Sequence, residues 1–226
     1  TESLIDETVE EFGAVHSIAN FAGILRDRMI FNMSEEDWDT VINVHLKGHF
    51  SLLRNAAEHW RERYKDGDDA GFDDDVQRSF LCVSSGVAAG NPGQANYSAA
   101  KAGILGLMRT SARELLQYDV RVNALWPSAV TRMTEDLPVM QSVSEDEMGP
   151  QFVPGAPVFL ASEEARDIAG CTLGIAGGNL SFVTDPKRES SLNKDVEEGA
   201  WTPEEIAENW DELTDGFETT RMNPGW

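Results

Sequence analysis

Tyr97 and Lys101 stand four residues apart in a segment of helical pattern, which puts both side chains on one face, one turn apart. A lysine ammonium beside a phenol favours the phenolate and lowers its pKa from about 10. Moving that group towards neutrality takes about 3 units, roughly 4 kcal/mol of differential stabilisation, and would make Tyr97 a usable general acid and base. Thirteen residues before the tyrosine, Ser84 follows the apolar run 80–83. On the turn after a strand its hydroxyl can hydrogen-bond a substrate oxygen. All three sit in Val83-Ser-Ser-Gly-Val-Ala-Ala-Gly-Asn-Pro-Gly-Gln-Ala-Asn-Tyr-Ser-Ala-Ala-Lys-Ala-Gly103.

Such a set needs a rigid frame, and strand and helix patterns alternate along the chain as they do in an α/β fold with a parallel sheet and crossover helices. Short apolar strands are expected at 15–19, 80–83, 120–125 and 172–175. One helix is expected over 34–60, capped by Ser34, with Trp38, Val41, Ile42, His45, Leu46 and His49 on one stripe. A second, over 97–117, turns Ile104, Leu105, Met108, Ala112 and Leu115 to the core. The aspartate-rich stretch 65–75 lacks the spacing and terminal Glu of a calcium loop and reads as a solvated insertion.

At 226 residues the chain fits one domain, and its 40 acidic against 18 basic residues give a net charge of -22. That balance disfavours nucleic acid and anionic membrane surfaces as partners. Arginine outnumbers lysine 13 to 5. An acidic, lysine-poor surface suits a halophilic protein working in a salt-rich cytoplasm, where screening removes self-repulsion. Cys82 and Cys171 each fall in a predicted strand and are expected to be buried, with no disulfide framework. His16, His49 and His59 share no metal-ligand spacing, so no metal is expected. With no leader pattern and no apolar run long enough to span a bilayer, the expected compartment is the cytoplasm.

The 83–103 stretch resembles the active-site segment of the short-chain dehydrogenase/reductase family, in which Ser, Tyr and Lys at this spacing form the catalytic set. Four further stretches match in the same order. Ile18-Ala-Asn-Phe-Ala-Gly-Ile24 resembles the Asn-Asn-Ala-Gly motif, with Phe21 for the second Asn. Trp38-Asp-Thr-Val-Ile-Asn-Val-His-Leu-Lys-Gly48 is similar to the helix that follows. Arg121-Val-Asn-Ala-Leu-Trp-Pro-Ser128 resembles the strand that ends in Pro-Gly beside the nicotinamide. Gly170-Cys-Thr-Leu-Gly-Ile-Ala-Gly-Gly178 resembles the last strand and its turn.

The resemblance implies a Rossmann-like doubly wound sheet and an NAD- or NADP-dependent oxidoreductase that interconverts a secondary alcohol and a ketone. Tyr97 would exchange a proton with the substrate oxygen. Lys101 would lower the Tyr97 pKa and hydrogen-bond the nicotinamide ribose. Ser84 would hold the substrate oxygen, Ser85 replacing it if the turn shifts by one residue, with Gln94 on the substrate side. His45 occupies the position where many members use an Asn to anchor a proton-relaying water. Its imidazole could do the same or be a satisfied core histidine, and Asn43 lies two residues earlier. Asn20, Ala22 and Gly23 would pass beneath the adenosine ribose, and Pro127, Ser128 and Val130 would flank the nicotinamide. Thr131 stands one residue before the family's carboxamide-binding Thr.

No G-x-x-x-G-x-G or G-x-G-x-x-G of the pyrophosphate-cradling kind precedes Asn20. Comparison with the family therefore implies an N-terminally incomplete domain over 1–184, with three strands and their helices upstream of Thr1. The strand that chooses NAD or NADP belongs to that part. At the other end, an acidic linker and a capped helix over 185–226 are expected to dock on the same domain. Thr202 and Glu205 form a capping box, Pro203 takes the first helical position, and Trp201 can staple to Ile206. The Thr-Pro-Glu start, Asn209-Trp210, Arg132-Met-Thr134 and Val44-His-Leu-Lys-Gly48 resemble the dehydrogenase domain of peroxisomal multifunctional enzyme type 2, a branch that oxidises (3R)-hydroxyacyl-CoA. Gln94-Ala-Asn-Tyr97 is equally similar to 3-oxoacyl-carrier-protein reductases. The implied substrate is a 3-hydroxyacyl or 3-oxoacyl thioester, and the implied assembly is a homo-oligomer, dimer or tetramer. A competing reading is a non-catalytic relative that pairs with a full-length dehydrogenase subunit through its two long helices.

Overall fold

The fold is that of a computed structural model, which describes residues 2–67, 78–131, 134, 142–184, 186, 190–195, 197 and 199–214. The aspartates of 68–75, Arg132 and Met133, and part of the charged linker after Thr184 lie outside the described residues. The chain divides into two compact units, 1–184 and 185–226.

Two strands with no exposed face anchor the first unit. Every residue of β2 (Arg78–Val83) is buried, as are the first six of β3 (Val120–Ser128), the pattern of parallel strands covered on both sides. Phe80, Cys82, Val120, Val122 and Ala124 face one core cluster with Trp60, Ile104, Met108 and Ala112. The alternate residues Leu81 and Leu125 face another, with Ala156 and Leu160. Arg121 points to that second side. Its two terminal guanidinium nitrogens donate to the carbonyls of Leu160, Ala165 and Ser162 at 2.7, 2.9 and 3.2 Å, which offsets the burial of a full charge, while Nε is buried with no partner among the described residues.

The sheet runs β1 (Ser17–Ala19), β2, β3, β4 (Thr172–Ala176), all parallel, and then β5 (Asn179–Val183), antiparallel to β4. The first four are the expected strands. β5 was not expected as a strand of its own: it is an edge strand with Leu180 and Phe182 exposed, so no buried alternation announces it. Gly177, at φ +53°, opens the hairpin in a conformation that favours glycine.

Helices cover both faces. α1 (Glu2–Phe12) precedes β1, and α2 (Glu35–Ile42) and α3 (Gly48–Asp66) connect β1 to β2. α4 (Ala95–Leu115) joins β2 to β3, while α5 (Glu145–Met148) and α6 (Gly155–Ala161) lie between β3 and β4. The single helix expected over 34–60 is two helices joined by a π turn, Asn43–Lys47, in which the Gly48 N–H reaches back to the Asn43 carbonyl. Ser34 caps α2, its hydroxyl accepting from the Asp37 N–H at 3.0 Å. Val41, His45 and His49 of the expected stripe are buried, whereas Trp38 is 38% exposed. Trp60 pins α3 to the chain entering β1, its indole N–H donating to the Val15 carbonyl at 2.8 Å. Cys82 is buried as expected, with burial pushing its thiol up to about 12. Cys171 departs from expectation: it precedes β4 and is only half-buried.

The second unit holds α7 (Pro203–Glu208) and α8 (Trp210–Thr214). The Thr202–Glu205 capping box forms as read, and Lys194 donates to the Glu205 carboxylate at 2.6 and 2.8 Å.

Candidate active site

Parallel strands deliver their carboxyl ends to one edge of the sheet, where the helix that follows can meet them. Here the end of β2 meets the first turns of α4. Lys101 is 3% exposed, and its ammonium donates to the Val83 carbonyl at 2.7 Å. One turn earlier on α4, the Tyr97 ring lies with its centroid 5.3 Å from that nitrogen. The pair is therefore brought together as its spacing requires.

Which serine joins them is settled by the turn. Ser84 is 1% exposed and its hydroxyl donates to the Lys101 carbonyl at 2.9 Å, while its N–H donates to Leu125. Ser84 thus ties β2 to α4, its hydroxyl proton engaged by that carbonyl. Ser85, one residue on, is half-buried and hydrogen-bonded to the Tyr97 hydroxyl. Its own position is fixed by the Val87 N–H, which donates to it at 3.4 Å.

The electrostatics also differ from expectation. Burial raises the Tyr97 phenol above its ordinary value, the Ser85 bond pulls it back, and the Asp27 charge raises it further. Lys101 does not reverse this, because its ammonium is engaged with Val83 and is itself penalised by burial, down to about 8. Desolvation outweighs the expected stabilisation of the phenolate.

His45 closes one side. It is 1% exposed and meets the Tyr97 ring edge-on at 5.0 Å between centroids. Its Nε2 lies 3.0 Å from Ile24 N and 2.8 Å from Ile24 O, so one tautomer accepts from the N–H and the other donates to the carbonyl. Burial, then the Lys101 charge, hold it down to about 4, so the ring is neutral at ordinary pH. Nδ1 is buried and has no hydrogen-bond partner among the described residues. Gly23 is what lets the ring in: a Cβ there would lie 2.6 Å from His45 Cε1. Asn20 is 8% exposed at the end of β1, and its side chain accepts from the Ala22 N–H at 3.1 Å, shaping the turn that carries Gly23. Asn43, on the π turn, is exposed.

Gln94 is not free for substrate as expected. Its amide donates to Asp27 Oδ2 at 2.8 Å and accepts from Asn91 at 2.7 Å. On the far side, Pro127 and Ser128 are half-buried at the end of β3, and the Ser128 hydroxyl lies 3.7 Å from the Met148 sulfur. Val130 is buried, its N–H donating to the Met148 carbonyl at 2.7 Å. Thr131 bonds Thr134 through its N–H at 2.9 Å.

Three supporting residues lay outside the set expected from the sequence. Asn96, fully buried, donates to the carbonyls of Arg26 and Asp37, each at 3.0 Å, and accepts from the Tyr97 N–H. His49 donates from Nδ1 to the His45 carbonyl at 2.7 Å and accepts at Nε2 from the Val83 N–H at 3.1 Å. Asp27 is the third, and only its place in the charged triplet Arg26-Asp-Arg28, just past the Gly23 turn, could have pointed to it.

Together these residues offer a polar cluster at the sheet's carboxyl edge, able to hold an oxygen at Ser85 and to move a proton at Tyr97. Comparison with known proteins identifies the family. The sequence profile of the family described as enoyl-(acyl carrier protein) reductase matches residues 1–179. The chain belongs to the short-chain dehydrogenase/reductase family. It is 41% identical over 198 residues to hydroxyacyl-CoA dehydrogenase ChsB1 of Mycobacterium tuberculosis, covering 86% of this chain and 61% of that protein. Mouse peroxisomal multifunctional enzyme type 2 is 32% identical over 216 residues, 95% of this chain and 27% of that protein. A crystal structure of a short chain dehydrogenase from Mycobacterium avium superimposes with a TM-score of 0.81 at 38% identity, over 95% of this chain and 68% of that one.

Proposed function

We propose that the protein interconverts secondary alcohols and ketones with NAD or NADP, and that its substrates are 3-hydroxyacyl and 3-oxoacyl thioesters. The observation that carries this reading is the Ser85–Tyr97–Lys101 cluster at the end of β2. The likeness to a hydroxyacyl-CoA dehydrogenase supports the thioester class. The residues fit the nicotinamide end of such a cofactor: Lys101 spends one of its three ammonium protons on Val83 and sits beside Tyr97, while Pro127 and Ser128 end the neighbouring strand. A nicotinamide, when bound, accepts or supplies the hydride.

The chain's own residues do the rest. Ser85 holds the substrate oxygen next to the phenol. In oxidation Tyr97 takes the hydroxyl proton as hydride leaves the carbon, and in reduction it returns a proton to the oxygen. Lys101 places positive charge where the phenolate forms. His45, neutral and fixed by Ile24, walls off the ring and presents Nδ1 as the position for a relaying water. The compartment read from composition is a salt-rich cytoplasm, and among the described residues no helix is long and apolar enough to cross a membrane. A homo-oligomer belongs to this reading, supported by apolar side chains left exposed on α6 and β5 (Val158, Leu180 and Phe182), and light scattering on the full chain reads it directly.

The test is reduced-nicotinamide absorbance in the purified full chain, with 3-hydroxyacyl-CoA in one direction and 3-oxoacyl-CoA in the other. Tyr97→Phe is expected to lower kcat by about a thousandfold or more, with cofactor Kd changed by less than about threefold. A folded full chain that neither binds cofactor nor turns over any such substrate would move the function to a non-catalytic subunit.

A further inference from the structure

Asp27 has no ordinary structural excuse for its charge. It stands on the connection between β1 and α2, half-buried, with Arg26 and Arg28 on either side. The Nη1 atoms of those arginines are turned to backbone instead, donating to the carbonyls of Leu25 and Asp27 at 2.9 and 2.7 Å. What holds the carboxylate is Gln94, 2% exposed and itself fixed by Asn91. The clamp is reinforced on both sides, by the Arg28 N–H donating to the Gly93 carbonyl at 2.8 Å and by Asn96 donating to the Arg26 carbonyl. Gln94 and Asn96 lead directly into Tyr97, so these bonds place the carboxylate against the start of α4. Its second oxygen, Oδ1, is buried with no hydrogen-bond partner among the described residues.

We propose that Asp27 is a positioning residue of the Tyr97 proton-transfer centre, its clamped negative charge opposing the phenolate and keeping the proton on Tyr97. The proposal rests on the reading of Tyr97 as the proton-transfer group. Among the described residues, the Lys101 ammonium, the neutral His45 ring and the Ser85 hydroxyl lie against Tyr97, and the Asp27 charge, held on Gln94 at the start of α4, acts on it from beyond them. Burial raises the Asp27 carboxyl above its ordinary value, and the Gln94 hydrogen bond and the positive charge of Arg28 pull it back. Of these groups only Asp27 brings negative charge to the phenol. Lys101 and Ser85 favour giving up the proton; Asp27 favours keeping it, and so holds the tyrosine ready to protonate a carbonyl oxygen.

The test needs no turnover. Phenolate absorbance is titrated in the full chain, and the component that disappears in Tyr97→Phe is assigned to Tyr97. Asp27→Asn keeps the shape and the Gln94 contact while removing the charge, and is expected to lower that midpoint by about half to one pH unit. Should that variant not fold, Asp27→Ser is read in the same way. An unchanged midpoint in a folded variant overturns the proposal, because a purely structural clamp would alter the melting temperature and leave the titration in place. A shifted midpoint in a protein without dehydrogenase activity would count against the enzymatic reading and still support the electrostatic one.

Discussion

Two adjacent serines divide the work at the end of β2, and the division can be measured. Ser84 is buried and bonded to the Lys101 carbonyl, so Ser84→Ala is expected to cost about 1 kcal/mol of stability with KM little changed. Ser85 reaches the phenol, so Ser85→Ala is expected to leave stability within about 0.5 kcal/mol and lower kcat by about 10- to 100-fold. Denaturant melts and steady-state kinetics on both variants check this, and the opposite pattern would restore Ser84 to the substrate. The sequence could not separate them, because one residue of turn register decides and both candidates are the same amino acid. The Tyr97–Lys101 pair was legible from its spacing together with the family resemblance of the surrounding 83–103 segment. The sign of the perturbation at Tyr97 was not, because it depends on burial and on Asp27, a residue 70 positions before the tyrosine in a loop without periodicity.

At the scale of the elements, α3 and β2 are joined through His49, whose ring links the His45 carbonyl to the Val83 N–H. The other side of Val83 carries Lys101. His49→Leu is expected to cost about 2 to 3 kcal/mol by leaving the Val83 N–H without an acceptor. His45 and His49 are both held down to about 4, chiefly by burial. The unfolded chain takes up their protons near pH 6.5 while the folded chain refuses them until about 4, so stability is full above about 6.5 and falls as pH drops through that window. Each histidine adds a slope of up to about 1.4 kcal/mol per pH unit, and urea melts at pH 7, 6 and 5 should show it. A flat profile would mean that the rings take up protons in the fold as readily as they do in the unfolded chain. Strand β2 was readable from the apolar run 80–83, and β3 from Val120, Val122, Ala124 and Leu125, although Arg121 and Asn123 interrupt the pattern. The break between α2 and α3 was not, since a change of hydrogen-bond register within a helix leaves the apolar stripe almost intact.

For the molecule as a whole, the excess of negative charge outweighs any single contact. A net charge of -22 is countered locally, among the described residues, by ion pairs such as Arg54–Glu58 on the surface of α3 and Lys194–Glu205 in the second unit. The remaining like charges repel across the surface, and salt relieves them because the Debye length falls from about 10 Å at 0.1 M to about 3 Å at 1 M. The melting temperature is expected to rise by several degrees between about 0.1 and 2 M KCl, an outcome that supports the halophilic reading. An unchanged or lower value would return the protein to the ordinary acidic class. This property was visible from residue counts, whereas the separation of 185–226 as its own unit rests on contacts that composition does not report.

The wide turn at Asn43–Lys47 gives chain length a meaning within a helix. A π turn holds one residue more than the α turn it replaces. Deleting a single residue there would leave a continuous, well-bonded α-helix and no hole in the backbone. Because the wide turn stores that extra residue locally, the helices on either side would keep their register, and only the residues inside the turn would change place. Trp38 and Val41 would keep their present faces, while His45, inside the turn, would lose its seat under Gly23 and beside Tyr97. A deletion that heals the helix would thus remove one wall of the cluster and leave the rest of the fold in place, and an aligned relative one residue shorter at this point should be expected to set a different residue beside its tyrosine.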